Sequence, residues 1–415
     1  MSNISAKKLR DYLNPNYLKN PIVTGTLFLT VAGIITKLIG FFYRIFLSRT
    51  FNEENLGVFG LIGPVMMLVH AVCASGIQNA ITRFVAASKR DRAAETYSFL
   101  FTGIAISAIL SGVMGYLIFD HAPYIAIQLI GERRCIPLLR ICALSFPLAT
   151  LHSCINGFFY GQKKAAIPAW SMIIEQTCRV VTVYILCRLS IESGLNISLS
   201  FICIGLLVGE FSSALFSCFM LAIRQDKTDF CIRRALSFEK GGAIMSLALP
   251  ISLNRICISF ISSVETIQLP KMLVASGLSS SSALSLYGVF SGMAIPLIMF
   301  PSAFTGSVAS LLLPSVSEAQ AQGNDQRIRK TIYLTIGFCF FLGVCCFALH
   351  LQICLEKCFL AAILPQAKFA LSPLYALFYI CQVHFVVFFT DLARLVSPFF
   401  LMYQVFYCAL LLCFL

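Results

Sequence analysis

Long apolar runs separated by short polar segments recur from residue 22 to the last residue of the chain. Roughly 20 apolar residues in a helix cross the hydrocarbon of a bilayer. Runs of that order fall at 22–48, 57–82, 97–119, 138–160, 167–189, 198–223, 241–265, 284–313, 331–352, 369–390 and 395–415, with a shorter one at 354–366. Backbone N–H and C=O groups must pair within their own segment in lipid, so each run predicts a helix. The expected fold is an all-α polytopic membrane protein with 11–12 spans.

The pattern also repeats. Gly57-Val58-Phe59 returns as Gly288-Val289-Phe290, Pro64 as Pro296, and Ser75-Gly76 as Thr305-Gly306, all at nearly one offset. Six spans separate the copies, an even number, so the halves are expected to be parallel pseudo-repeats around a central cleft, an arrangement known among transporters. The expected organisation is an N-terminal tail over 1–20, a six-helix lobe over 21–223, a basic linker over 224–240 and a second lobe over 241–415.

Composition and charge sharpen this picture. The 415 residues are 58% hydrophobic and 12% charged, with a mean hydropathy of +0.85 and a net charge of +13. In a soluble chain that basicity would suggest nucleic acid; here it collects in alternate connecting segments. The segments 1–20, 83–96, 161–166, 224–240 and 314–330 hold 18 Lys and Arg, and the alternate ones hold five. Basic segments stay on the cytoplasmic side, which predicts a cytoplasmic N-terminus and an external 120–137. The start of the first span is expected to be a retained anchor, its apolar run being too long for a signal peptide.

Charges in the middle of a span are costly and face protein or a watery cavity. Lys37 and Arg44 on the first span and Arg255, beside Asn254, on the seventh give the first helix of each half a central cation. Glu175 and Arg179 are one helical turn apart and can pair. Glu210 has no cation at helical spacing, so its partner comes from another helix or its carboxyl is held protonated. These three residues form either a structural ion pair or an ion-coupling site for H+ or Na+. His70 and His152 are expected to be packed and hydrogen-bonded. Pro64, Pro147, Pro250 and Pro296 inside spans permit bends.

The eighteen cysteines lie mostly in apolar runs and read as small buried hydrophobes, and no Cys or His spacing marks a metal site. No phosphate-cradling glycine loop or nucleophile elbow is present, so neither an enzyme nor a cofactor is expected. That weighs against a membrane glycan polymerase or glycosyltransferase.

Four stretches carry a family resemblance: 35–44 (ITKLIGFFYR), 156–179 (NGFFYGQKKAAIPAWSMIIEQTCR), 208–210 (VGE), and 286–301 (LYGVFSGMAIPLIMFP) running into 312–319. The chain resembles the stage V sporulation protein B-like polysaccharide exporters, a branch of the multidrug/oligosaccharidyl-lipid/polysaccharide exporter superfamily that includes lipid II flippases. The resemblance implies a two-lobed bundle in the bacterial cytoplasmic membrane that flips polyprenyl-diphosphate saccharides by alternating access, in cell-wall synthesis or sporulation. Lys37, Arg44, Asn254 and Arg255 are then expected to bind the anionic substrate. Lipid II flippases carry an Arg on span 8 where Phe290 and Ser291 stand here; either Arg255 compensates or the substrate differs. A cation-coupled multidrug exporter of the same fold is the alternative. The likeness fades past about Phe347, so the second lobe is expected to be incomplete or altered after about residue 350.

Overall fold

The computed structural model describes residues 21–88, 93–224 and 238–295, together with residues 326, 328, 329, 333 and 337. The chain divides into two compact units, Met1–Ile295 and Pro296–Leu415. The expected spans at 331–352, 369–390 and 395–415, the tail and the basic segments 1–20 and 314–330 lie wholly or almost wholly outside the described residues, as do Pro296, Thr305 and Gly306.

Among the described residues the structure is helical throughout. α1 (Pro21–Thr50) is followed by α2 (Glu53–His70), a π-helical turn (Ala71–Ser75) and α3 (Gly76–Ala87), which continue one another over 35 residues. Then come α4 (Ala93–Asp120), α5 (Cys135–Gly161), α6 (Ala166–Glu192), α7 (Ser200–Arg224), α8 (Phe238–Ala275) and α9 (Ser280–Val289). Among the described residues, six helical stretches are long and apolar enough to cross a membrane. The fifth expected span is also a helix: α6 has the 27 residues of α5, but Glu175, Arg179 and Arg188 make it less apolar.

Two segments differ from the sequence reading. The region 120–137, expected as a loop, contains a helical turn at Ala122–Tyr124 and a π turn at Ile125–Ile130, closed by Gly131 at φ 87°. Ala122, Ala126 and Ile130 are buried against α2 and α5, so apolar burial folds this connection back onto the bundle. α8 runs ten residues past the expected end of the seventh span at 265, through Pro270, because Ile267 and Leu269 still pack on the core and Lys271 Nζ donates to the Leu129 carbonyl at 3.0 Å. Helices continue through Pro64, Pro147, Pro250 and Pro270; in a bundle, neighbouring groups satisfy the carbonyls that proline frees.

Three apolar clusters hold the helices. Val58, Leu61, Leu138, Leu139, Cys203, Leu284 and Tyr287 join α2, α5, α7 and α9. Ile77, Ile81, Leu100, Phe158, Phe159, Ile244 and Ala248 join α3, α4, α5 and α8. Tyr43, Leu47, Val183, Cys187 and Ile202 tie α1 to α6 and α7. Cys73, Cys135, Cys142, Cys154, Cys187 and Cys203 are buried free thiols, while Cys257 is exposed.

The repeat has a structural consequence. A Cβ on Gly57 would overlap the Leu284 carbonyl, and one on Gly288 would overlap the Glu53 carbonyl and the Gly57 amide. The Gly-Val-Phe copies therefore meet backbone to backbone, in the close approach that only glycine permits. At the start of these helices Arg134 pairs with Glu54 (2.6 Å) and Glu132 (3.0 Å), and Ser281 donates to Glu54 (2.6 Å). Ser279 caps α9 by accepting the Ser282 amide.

Candidate functional site

The polar heart of the described residues lies between α5, α6 and α7. Glu175 and Arg179 share one face of α6 because residues four apart stack on a helix, and Arg179 Nη2 donates to Glu175 Oε1. Its other nitrogen, Nη1, donates to Gln176 Oε1 at 3.2 Å. α7 comes close enough to join them because residue 209 is glycine: a Cβ there would overlap the Glu175 carbonyl. The next residue, Glu210, presents Oε1 to Arg179 Nη2 at 3.8 Å and Oε2 to His152 Nε2, from α5, at 2.9 Å. The four side chains retain between 13% and 22% exposure.

His152 bridges this charged tier to a hydroxyl tier one helical turn away. Its Nδ1 is 3.1 Å from Ser213 Oγ and 3.4 Å from Asn156 Nδ2. Ser171 Oγ is 2.6 Å from Ser213 Oγ, 3.3 Å from Ser217 Oγ and 3.4 Å from Asn156 Nδ2. Ser171, Ser213 and Ser217 are fully buried and Asn156 nearly so. Buried hydroxyls must pair or pay a penalty of a few kcal/mol, and these pair with one another and with His152.

The electrostatics limit what the tier can hold. Two carboxylates and one guanidinium leave a net charge of −1 when His152 is neutral, and uncompensated charge away from water costs several kcal/mol. One proton or one monovalent cation restores neutrality. His152, Glu175 and Glu210 place ligand atoms within 4.8 Å of one another, the spacing of a metal cage. Arg179 Nη2 approaches one oxygen of each carboxylate, and a doubly charged ion would take the tier from −1 to +1, so the charge balance favours one proton or one monovalent cation.

Of the residues singled out in the sequence, the structure brings Glu175, Arg179 and Glu210 together, and the cross-helix partner expected for Glu210 is supplied by His152 and Arg179. Arg44 is exposed on α1 and its Nη1 is 3.4 Å from the Ser291 carbonyl, in a π-helical turn (Phe290–Ala294) after α9. That is the region where the sequence lacks the span-8 Arg. Lys37 on α1 and Asn254 and Arg255 on α8 are exposed rather than buried. His152 and the serine tier were not singled out as site residues; only a mid-span imidazole on the fourth apolar run hinted at them.

The fold is similar to that of a solved membrane transporter: a MATE multidrug transporter, DinF-BH, solved in complex with a ligand, superposes with a TM-score of 0.60 at 14% identity, covering 91% of this chain and 86% of that one. It is a multi-pass membrane fold. Residues 22–320 match the family model described as polysaccharide biosynthesis protein, and the chain belongs to that family. Stage V sporulation protein B of Bacillus subtilis (strain 168) is 27% identical over 332 residues, which are 78% of this chain and 64% of that protein. Lipid II flippase MurJ of the same organism is 20% identical over 347 residues, 78% of this chain and 63% of that protein. The chain thus spans less than two thirds of the length of these two relatives.

Proposed function

We propose that the protein flips an anionic, lipid-linked saccharide, a polyprenyl diphosphate, across the cytoplasmic membrane by alternating access, with its N-terminus inside. The observation that carries this reading is the sign of the accessible mid-helix charge. Glu175 and Glu210 are engaged by Arg179 and His152 inside the bundle, while Lys37, Arg44 and Arg255 stand exposed on α1 and α8. Exposed cations suit a diphosphate, the group that most resists crossing hydrocarbon; a cationic drug would meet repulsion. The name of one relative, a lipid II flippase, supports transport over glycan polymerisation. A fold neighbour described as a multidrug transporter supports the multidrug alternative.

In this reading Lys37 and Arg255 hold the diphosphate, Arg255 in bidentate fashion, and the His152–Glu210–Arg179–Glu175 tier couples transport to one proton. The test is flipping of a fluorescent polyprenyl-diphosphate saccharide in proteoliposomes under a pH gradient, against a cationic dye in the same vesicles. Gradient-driven flipping of the saccharide supports the reading. Transport of the dye alone would replace it with the multidrug function.

A further inference from the structure

Proton exchange with the charged tier would require a path of hydrogen-bonding groups through the bundle interior, and a run of close polar contacts leads away from it. The chain of contacts is continuous: Glu210 Oε2 to His152 Nε2 at 2.9 Å, His152 Nδ1 to Ser213 Oγ at 3.1 Å, Ser213 to Ser171 at 2.6 Å, and Ser171 to Ser217 at 3.3 Å. Three helices build it in register. His152 and Asn156 on α5, Glu175 and Ser171 on α6, and Glu210 and Ser217 on α7 are each spaced to lie on one helix face, with the hydroxyl or amide displaced toward the same end of the bundle. That end carries Lys163, Lys164 and Arg224, where α5 and α7 finish and α6 begins. Ser217 lies seven residues before Arg224, about 10 Å along the helix axis.

We propose that Ser217, Ser171, Ser213 and His152 form a proton route through the interior of the helical bundle, joining its basic end to the Glu210–Glu175 pair. The inference rests on the coupling reading above and adds the path and the side of access. A proton delivered by water to Ser217 Oγ releases that hydroxyl's own proton to Ser171. Ser171 passes its own to Ser213, and Ser213 passes its own to His152 Nδ1. Each oxygen gains one proton and loses one. The imidazolium then gives its Nε2 proton to Glu210 Oε2, 2.9 Å away, so the ring is neutral again, the proton ends on the carboxyl, and the tier goes from −1 to neutral. Both nitrogens of His152 are engaged on opposite sides, the geometry a relay requires. Ser217 is itself sealed from solvent, so the route is closed in this conformation and conducts when the basic end admits water, which keeps it from leaking.

The groups that act on the relay electrostatically are Glu175 and Arg179 from α6, Glu210 from α7 and His70 from α2. They set how strongly the tier holds its proton, whereas the serines set only how fast it arrives. A purely structural role for the serines, as small residues at a helix contact, would alter stability and leave that rate alone.

The experiment is time-resolved infrared spectroscopy of the full chain in lipid nanodiscs after a pH jump, with the Glu210 band identified by its loss in Glu210→Gln. Ser171→Ala and Ser217→Ala are expected to slow protonation by about tenfold each, the effect of losing one hydrogen bond from the transfer path, with an unchanged titration midpoint. Ser171→Thr, which keeps the hydroxyl, should retain the rate. Ser217→Ala, at the far end of the route, serves if Ser171→Ala does not fold. If no carboxyl band is lost in Glu210→Gln, and His152→Gln leaves the pH response intact, the tier takes no proton and the coupling reading falls. If Glu210 titrates but neither alanine variant changes the rate, the coupling reading stands and the internal route is overturned.

Discussion

At the scale of single residues, Arg179 decides the chemistry of the bundle interior. It is the guanidinium between two carboxylates on different helices. Removing one member of a buried ion pair leaves the others uncompensated, at a cost of about 3–5 kcal/mol. Arg179→Leu should therefore lower the unfolding midpoint sharply in a thermal assay, and adding Glu175→Gln should restore a substantial part. Full stability of the single variant would mean that the carboxylates are neutralised by some other group. Lys37 and Arg255, in contrast, are exposed. Their replacement by Ala should leave unfolding within about 0.5 kcal/mol of the parent, as for surface positions, while saccharide flipping is lost. Normal flipping in both variants would sink the diphosphate role.

At the scale of elements, the contact between α2 and α9 rests on the absence of two side chains, and a substitution tests it directly. Gly57→Val and Gly288→Val each force helices apart that are packed at backbone distance, and overpacking of this kind costs about 1–3 kcal/mol. Both should destabilise the chain, while Gly63→Ala on the same helix, where a Cβ meets open space, should not. Next to this contact, Arg134 donates to the Glu132 side chain and holds that carboxyl below the usual carboxylate range. A depressed carboxylate contributes stability above its unfolded pKa and loses it as pH falls through the folded one. The Arg134 cluster should thus be intact at neutral pH and weaken only below about pH 4, under the unfolded Glu value. Thermal unfolding measured between pH 7 and pH 3, with the loss below about pH 4 expected to be reduced in Arg134→Gln, checks the arrangement.

At the scale of the whole molecule, the basic bias predicts an orientation that labelling can test. Eighteen Lys and Arg in one set of segments against five in the other predict that a single cysteine at Arg92→Cys is shielded from an impermeant reagent in intact cells, whereas one at Arg133→Cys is labelled. The reverse pattern would invert the protein and move the basic end of the proton route to the outer face. The same experiment needs a background in which the exposed Cys257 is replaced.

What the sequence determined by itself is whatever depends on local spacing. A run of some 20 apolar residues must become a helix in lipid, so the spans from residue 22 to the start of the eighth were legible. The i, i+4 geometry fixed the Glu175–Arg179 pair, and the repeated Gly-Val-Phe was visible as a string. Tertiary structure alone decided contacts between residues far apart in the chain. Nothing at helical spacing from Glu210 names His152, 58 positions away, and each serine of the hydroxyl tier reads singly as an ordinary small residue in a helix. Arg134 and Glu54 are separated by 80 positions, and Ser281 and Glu54 by 227. Helix periodicity says which face a side chain occupies but not which neighbour that face meets. The neighbour is chosen by packing of the apolar clusters and the close approach at Gly57, Gly209 and Gly288, and these interactions exist only once the helices are assembled.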